Sequence, residues 1–563
     1  MFRTDGGDVT PEDSVPTPIA RLAIANLVLI FPLAAPKMAL AQTAEAPVAD
    51  DSNAAAEAEG KESPSAAQPA EVTPLAEAEQ LISTLNDAKS DDRARRVAAV
   101  RLKNAAGEAL PALEKVAARQ DLSPEARSAV DEALPMVQFR AKGDRLAREV
   151  HAIDLKSMLE SYEAHGRKDP KWDDLVRQAI KAGQSDRAEC IALFKKALDA
   201  GCTDPFIQYL YARNALLAGQ GKRDDLIHLH LKAALALAET TYPAEWKCRA
   251  AARYIEFTGD ADLELVEQAL KYLPQALAET ERDSEDVYAL ANLVFRVAAP
   301  TRGAEAAFEE VHKAYAAARP ANDPGPLVFK GVRYKDWAWE ARGAGYAHTV
   351  TEEGWELFRQ RLAVAKKSLQ AAWKADPTDP RAPTQMIPVI MGQSGSKPEM
   401  EMWFTRAMQN NPDNRVACGF KLYFLYPRWH GSHREMVAFG RECLATQNWW
   451  GPLPTILTDA HAQAAKESPD PKAYYTRPGV WDDVSAVYKS FLEAYPDSPR
   501  ATSYRNRLAK WACDCQQWDE AVRQFQKIGD EPDPTVFRSK AVYDYYRRKA
   551  QNRANKVQEV RAF

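Results

Sequence analysis

Nowhere in its 563 residues does the chain carry an apolar run long enough to cross a membrane as a helix. The most apolar stretch, Leu22 to Ala35, is interrupted by Pro32, and only 15 residues separate Arg21 from Lys37, against the roughly 20 that a spanning helix needs. Strand signals are also missing. Beyond residue 77 no series of alternating Val, Ile and Thr bounded by turns occurs, which excludes sheet architectures. Cysteine is scarce: seven residues, at 190, 202, 248, 418, 443, 513 and 515, odd in number and without a CxxC pair. That excludes a zinc ribbon and a dense disulfide framework, and leaves small buried thiols as the reading. Cys513 and Cys515, two apart, point to different faces of a helix and do not chelate as a pair. Reaction motifs are lacking as well. No GxxxxGK[ST], HExxH, GxSxG or EF-hand loop is present, Gly343-Ala344-Gly345 has no third glycine, and Gly392-Gln393-Ser394-Gly395 completes no nucleophile elbow. No catalytic residue, no cofactor-binding residue and no metal ligand is therefore assigned.

What is present is a soluble composition, 46% apolar and 27% charged, with a net charge of −5. That charge is unevenly placed. Residues 1–41 sum to −1, and residues 42–77, with Lys61 against eight acids, sum to −7, so residues 78–563 carry +3. A near-neutral body gives no electrostatic footprint for nucleic acid. The Leu22–Ala35 stretch followed by Ala39-Leu40-Ala41 has the form of a signal peptide over 1–41, cleaved before Gln42. It places the protein outside the cytoplasm, in the periplasm or cell envelope, and leaves no integral membrane segment once removed; a cytoplasmic protein is the alternative if the leader is no signal. Residues 42–77, rich in Ala, Glu, Pro and Ser and devoid of aromatics, read as a disordered acidic spacer.

The body reads as helices. Over 78–150, Arg95, Ala98 and Leu102 are repeated about 32 residues later by Arg127, Val130 and Leu134, with Leu110, Leu113 and Val116 between them. These look like HEAT-type hairpins. Residues 151–330 read as degenerate helical repeats, with Cys190, Phe194 and Ala197 before Asp204-Pro205 as one weak unit. Over 331–536 a sharper series appears: Ala365, Leu369, Ala372 and Pro377; Met400, Phe404, Ala407 and Pro412; Val484, Tyr488, Phe491 and Pro496; and Ala521, Phe525 and Ile528. A small residue lets two helices approach, a bulky one fills the groove a turn later, and proline ends the helix. This series resembles the second helix of the tetratricopeptide repeat. The resemblance implies an all-α, helical-hairpin repeat solenoid preceded by the spacer.

Between two helices lies Tyr426-Pro427-Arg428-Trp429-His430-Gly431-Ser432. Its PRWxGS signature is similar to that of a bacterial family of unknown function built on tetratricopeptide-like helices, which implies a fold and no activity. From the residues, Pro427 stops a helix, Gly431 permits a turn with positive φ, Ser432 caps the next helix and Trp429 plugs the gap between hairpins. Arg428, Trp429, His430, Gly431 and Ser432 form an interaction or structural loop. Trp449 and Trp450 are the second candidate, because adjacent tryptophans cannot both face one core on a regular element. His430 with His433, and His228 with His230, read as solvent-facing pairs rather than metal ligands. Residues 537–563, with eight bases against two acids, read as a basic terminal helix capping the stack. The expected function is a non-catalytic protein-interaction scaffold with a protein partner. The alternatives are an all-helical enzyme acting on an envelope glycan, suggested by the aromatic content, and a purely architectural subunit.

Overall fold

The computed structural model describes residues 73–183, 185–260, 262–279 and 284–562. The signal segment over 1–41 and the spacer up to residue 72 lie outside the described residues. Within the described residues there are 25 α-helices and no strand.

The chain enters through α1 (Pro74–Asn86), α2 (Asp92–Lys103), α3 (Leu110–Ala117) and α4 (Pro124–His165). α1 begins inside the stretch read as spacer. Thr73 accepts from the Ala76 amide at 3.3 Å and Pro74 sits in the first turn, a complete start signal that the acidic composition around it obscures. α2 and α4 are capped as well: Asp91 accepts from Ala94 N and Ser123 from Ala126 N. The two related series meet in one small core, where Ala98, Leu102, Leu113, Val116 and Val130 are buried. Residue 150, the expected boundary, falls inside a helix. α4 runs unbroken for 42 residues from Pro124, carrying Pro135 inside it, and stops only at Gly166. At 1.5 Å per residue it is roughly 60 Å long, and its far end enters the next core, where Tyr162 is buried and the Trp246 indole donates to Ser161 Oγ at 2.8 Å.

From Asp173–Ala182 with Arg187–Asp199 to Pro499–Asp514 with Trp518–Ile528 the helices follow in consecutive pairs. Each packs on its partner, and the first helices of successive pairs also touch: Ala244–Thr258 on Ser284–Arg302, that on Pro324–Arg342, and onward to Arg381–Gly392 and Arg415–Phe424. The small and bulky positions of the sequence series fall on second helices and are buried, among them Ala365, Leu369, Ala372, Met400, Ala407, Val484, Phe491, Ala521 and Phe525. The last helix, Lys540–Ala562, closes the stack by burying Tyr543 against Phe525 and Phe537.

His228 and His230 do lie on different faces, but His230 is not solvent-facing. It is fully buried, its ring 5.3 Å from Tyr209 and 5.9 Å from both Tyr254 and Phe257. Nε2 lies 3.0 Å from the Ala250 carbonyl and so carries the proton. Burial, aided by the nearby Arg213 guanidinium, pulls this imidazole down to about 4. An ordinary histidine titrates near 6.5, so the unfolded chain takes up a proton below that pH while the folded chain refuses it. The corresponding stability is full above about pH 6.5 and drains away as the pH falls toward 4, a loss of about 2 kcal/mol at pH 5. Urea unfolding at pH 7 and pH 5 should show that loss in the wild type and a smaller one in His230→Gln; equal losses would dismiss His230 as the cause.

Candidate interaction surface and the closing contact

The loop after Arg415–Phe424 is built as its residues dictate, with one correction. Ser432 is the N-cap of His433–Ala445: its hydroxyl accepts from the Glu435 amide at 3.3 Å and donates to the Glu435 carboxylate at 2.9 Å. Lys397, ion-paired with Glu435, and this hydroxyl hold the carboxyl below its usual range. Gly431 does not have positive φ. Glycine is required there because a Cβ would sit 2.3 Å from the Leu425 carbonyl oxygen. The close approach, not the dihedral, fixes the residue.

Trp429 reaches back across an intervening helix pair. Its ring meets Trp339 edge to face at 5.5 Å and Tyr423 at 6.0 Å. Arg342 lies at the centre of this group, its guanidinium 4.8 Å from Trp429, 5.6 Å from Trp355 and 5.8 Å from Trp339. Its Nη1 donates to the carbonyls of Gly343 and Gly345 at 3.1 and 3.0 Å, so no carboxylate is needed to hold it. Burial pulls this guanidinium below its ordinary value, and Arg428 adds to the effect. Arg428 itself is exposed and lies over Tyr423 and Tyr426, at 5.4 and 5.3 Å. Trp339, Trp355, Trp429, Tyr423 and Tyr426 are each half-buried. The result is a surface on which aromatic faces and two cations converge.

His430 and His433 have separate partners and are half-buried rather than solvent-facing. His430 stacks on Phe424 at 4.4 Å with Nε2 near the Met391 carbonyl, and His433 Nε2 pairs with Glu467 at 2.9 Å. Among the described residues no group of three or more His, Cys, Asp or Glu side chains is placed to hold a metal.

The second candidate has a different task. Trp449 is fully buried, packed on Phe491 at 5.2 Å and Tyr504 at 5.9 Å, so it offers no interaction surface. Trp450 turns the other way, and Arg140 of α4 stacks on it at 4.8 Å. The paired tryptophans thus belong to two bodies, which resolves why they could not share one core. Asn104, at the end of α2, reads this loop with its whole amide: Oδ1 accepts from the amides of Trp449 and Trp450 at 2.6 and 2.9 Å, and Nδ2 donates to the Gln447 carbonyl at 2.8 Å. Arg140 completes the contact. Nε and Nη2 donate to Asp413 at 3.0 and 2.9 Å, and Nη1 donates to the carbonyls of Lys103 and Ala105 at 2.8 and 3.0 Å. At the rim Arg93 pairs with Glu493 at 2.7 Å. The first four helices are therefore seated on the loops of much later pairs, and the chain closes on itself.

No known protein family and no curated protein matches the sequence. Its site rests on geometry alone. Sequence reasoning overlooked Arg342, whose role depends on Trp429 lying 87 positions later, and a buried relay in which His461 lies 2.9 Å from both the Tyr474 hydroxyl and Asp483. Asp483 also takes a bidentate pair from Arg441, and burial holds the imidazole below its ordinary value despite the carboxylate. His461 has both ring nitrogens occupied within the fold, so this relay pins the Pro471–Tyr475 segment to its neighbours.

Proposed function

We propose that the protein is a non-catalytic interaction scaffold, exported to the cell envelope, whose helical pairs form a tetratricopeptide-like solenoid of the kind associated with the PRWxGS motif. The observation that carries this reading is the half-buried aromatic surface around Arg342 and Arg428. Aromatic and arginine side chains dominate the energetics of protein contacts, and here they are held in place by a rigid capped loop. The charged groups stacked on these tryptophans are cations, whereas a glycan hydrolase would need a pair of carboxylates beside them. Closure by the first four helices fixes the pairs relative to one another, which lowers the ordering cost of binding.

The test uses the protein recovered from the envelope fraction, where a mature N-terminus at Gln42 is expected. A partner retained by the wild type and by Arg553→Ala should be lost by the Trp355→Ala/Arg428→Ala double variant. Equal capture by all three proteins, or turnover of envelope glycan by the purified chain, would overturn the reading.

A further inference from the structure

We propose that the aromatic surface around Arg342 and Arg428 is a carboxylate seat, and that its occupant is an acidic segment of the protein partner. The inference rests on the scaffold reading and adds what the partner must carry. A buried arginine is as a rule paired with a carboxylate. Arg342 is buried, yet neither it nor Arg428 makes an ion pair among the described residues. The carbonyls of Gly343 and Gly345 occupy Nη1 and fix the guanidinium in place, but they bring no net charge to balance it. Nε is buried without a hydrogen-bond partner, and Nη2 has none among the described residues either. Nε and Nη2 form one side of the guanidinium fork, which takes a carboxylate through two parallel bonds.

The donors beside it are unused as well. The indole Nε1 atoms of Trp339 and Trp429 are buried without an acceptor, and the two rings meet at 5.5 Å with Arg342 5.8 Å from the first and 4.8 Å from the second. Unmatched buried donors are rare in folded proteins, and each asks for an explanation. Three in one group, around an unneutralised charge, share one: an anionic oxygen supplied from outside. The second cation extends the seat. Arg428 is exposed over Tyr423 and Tyr426, and the Tyr423 ring lies 6.0 Å from Trp429. On the loop whose carbonyls Arg342 holds stands Tyr346, 69% exposed, with its ring on His348 at 6.0 Å. Two cations among stacking faces match a short acidic peptide, whereas the near-neutral body offers no continuous basic track for nucleic acid. Because Nε and both indole nitrogens are buried, a carboxylate displaces a ring to reach them, and the indole signals report its entry.

The experiment titrates the full chain with a fluorescein-labelled peptide of repeated Glu-Gly units and, in parallel, with its Gln-Gly counterpart, read by fluorescence polarisation. The Glu peptide should bind at least about 10-fold tighter, and it should shift the indole N–H resonances of Trp339 and Trp429 in the wild type carrying isotope-labelled tryptophan. Arg342→Gln should weaken binding about 30-fold and Arg428→Gln about 3-fold, while Arg553→Gln, on the basic last helix, binds as the wild type. The resonance shifts need no variant, so a misfolded substitution does not blunt the test. Equal affinity for the two peptides, unshifted Trp339 and Trp429 resonances, or binding lost in Arg553→Gln instead would overturn the proposal. So would tighter binding once Glu57, Glu59 and Glu62 are changed to Gln, which would put the chain's own acidic stretch in the seat. If the peptide fails while the envelope partner is still lost by Trp355→Ala/Arg428→Ala, the acidic ligand falls and the scaffold stands.

Discussion

Arg140→Ala should cost about 3–5 kcal/mol, because it leaves a buried carboxylate without its cation. The side chains of Arg140 and Asp413 are only 2% and 10% exposed. Once the guanidinium is gone, the remaining side-chain donor to Asp413 is Asn448 Nδ2 at 2.8 Å, and the carbonyls of Lys103 and Ala105 lose a shared donor too. Two features separate this from an ordinary surface pair, worth about 0–1 kcal/mol: the geometry is bidentate, and the charge is stacked on Trp450. Because the contact joins the first four helices to loops hundreds of residues later, the penalty has a structural outlet. The module can lift away and rehydrate Asp413. Urea unfolding should therefore show either the full loss or a new early transition at unchanged helix content, with an increased radius of gyration by solution scattering. The double variant Arg140→Met/Asp413→Leu should recover most of the loss, since removing both charges removes the unpaired one. A single-variant cost under about 1 kcal/mol, at the surface-pair level, would mean that the pair does not hold the closure.

The helices and their pairing were legible in the sequence because those signals are local. Ser432 and Glu435 lie three residues apart, and Ala365, Leu369 and Ala372 share one face of one helix, so a pattern within a short window suffices. The cap at Ser432 was readable for that reason, whereas the reach of Trp429 to Trp339 was not, because it depends on a helix two pairs earlier. Gly431 was legible only as a residue that must be glycine. Whether dihedral or close approach demanded it depends on where Leu425 turns back. His230 was misplaced because its exposure is decided by Tyr209 and Tyr254 on neighbouring helices, not by its own spacing from His228. The closure was illegible altogether. Arg140 and Asp413 are 273 residues apart and Arg93 and Glu493 are 400 apart, and nothing periodic links them. The one trace it left was Trp449-Trp450, where local rules were broken, as happens when two bodies share a loop.

Trp449→Ala should be the most destabilising truncation in that loop, at about 3–5 kcal/mol, and the reason lies in which body each ring serves. Trp449 is fully buried in the core of the later pairs, between Phe491 and Tyr504. Its indole Nε1 has no hydrogen-bond partner among the described residues, so the ring contributes by apolar burial and aromatic edge contacts alone, and alanine leaves a cavity of nearly its full volume. Its backbone also matters: the carbonyl accepts from Arg500 at 3.0 Å and the amide donates to Asn104. Both survive substitution, so the loop should keep its path and the cavity should not collapse, which places the cost at the upper end. Trp450→Ala should behave otherwise. That ring is half-buried and meets Arg140 across the closing contact, so its loss should be about 1–2 kcal/mol and should vanish in an Arg140→Met background, where the stacked charge is already gone. Urea unfolding of the two single variants and of Trp450→Ala/Arg140→Met measures this directly. A Trp450→Ala cost that adds fully to that of Arg140→Met would show that the ring stabilises the later core instead, and a Trp449→Ala cost no larger than that of Trp450→Ala would remove the division of the loop between two bodies.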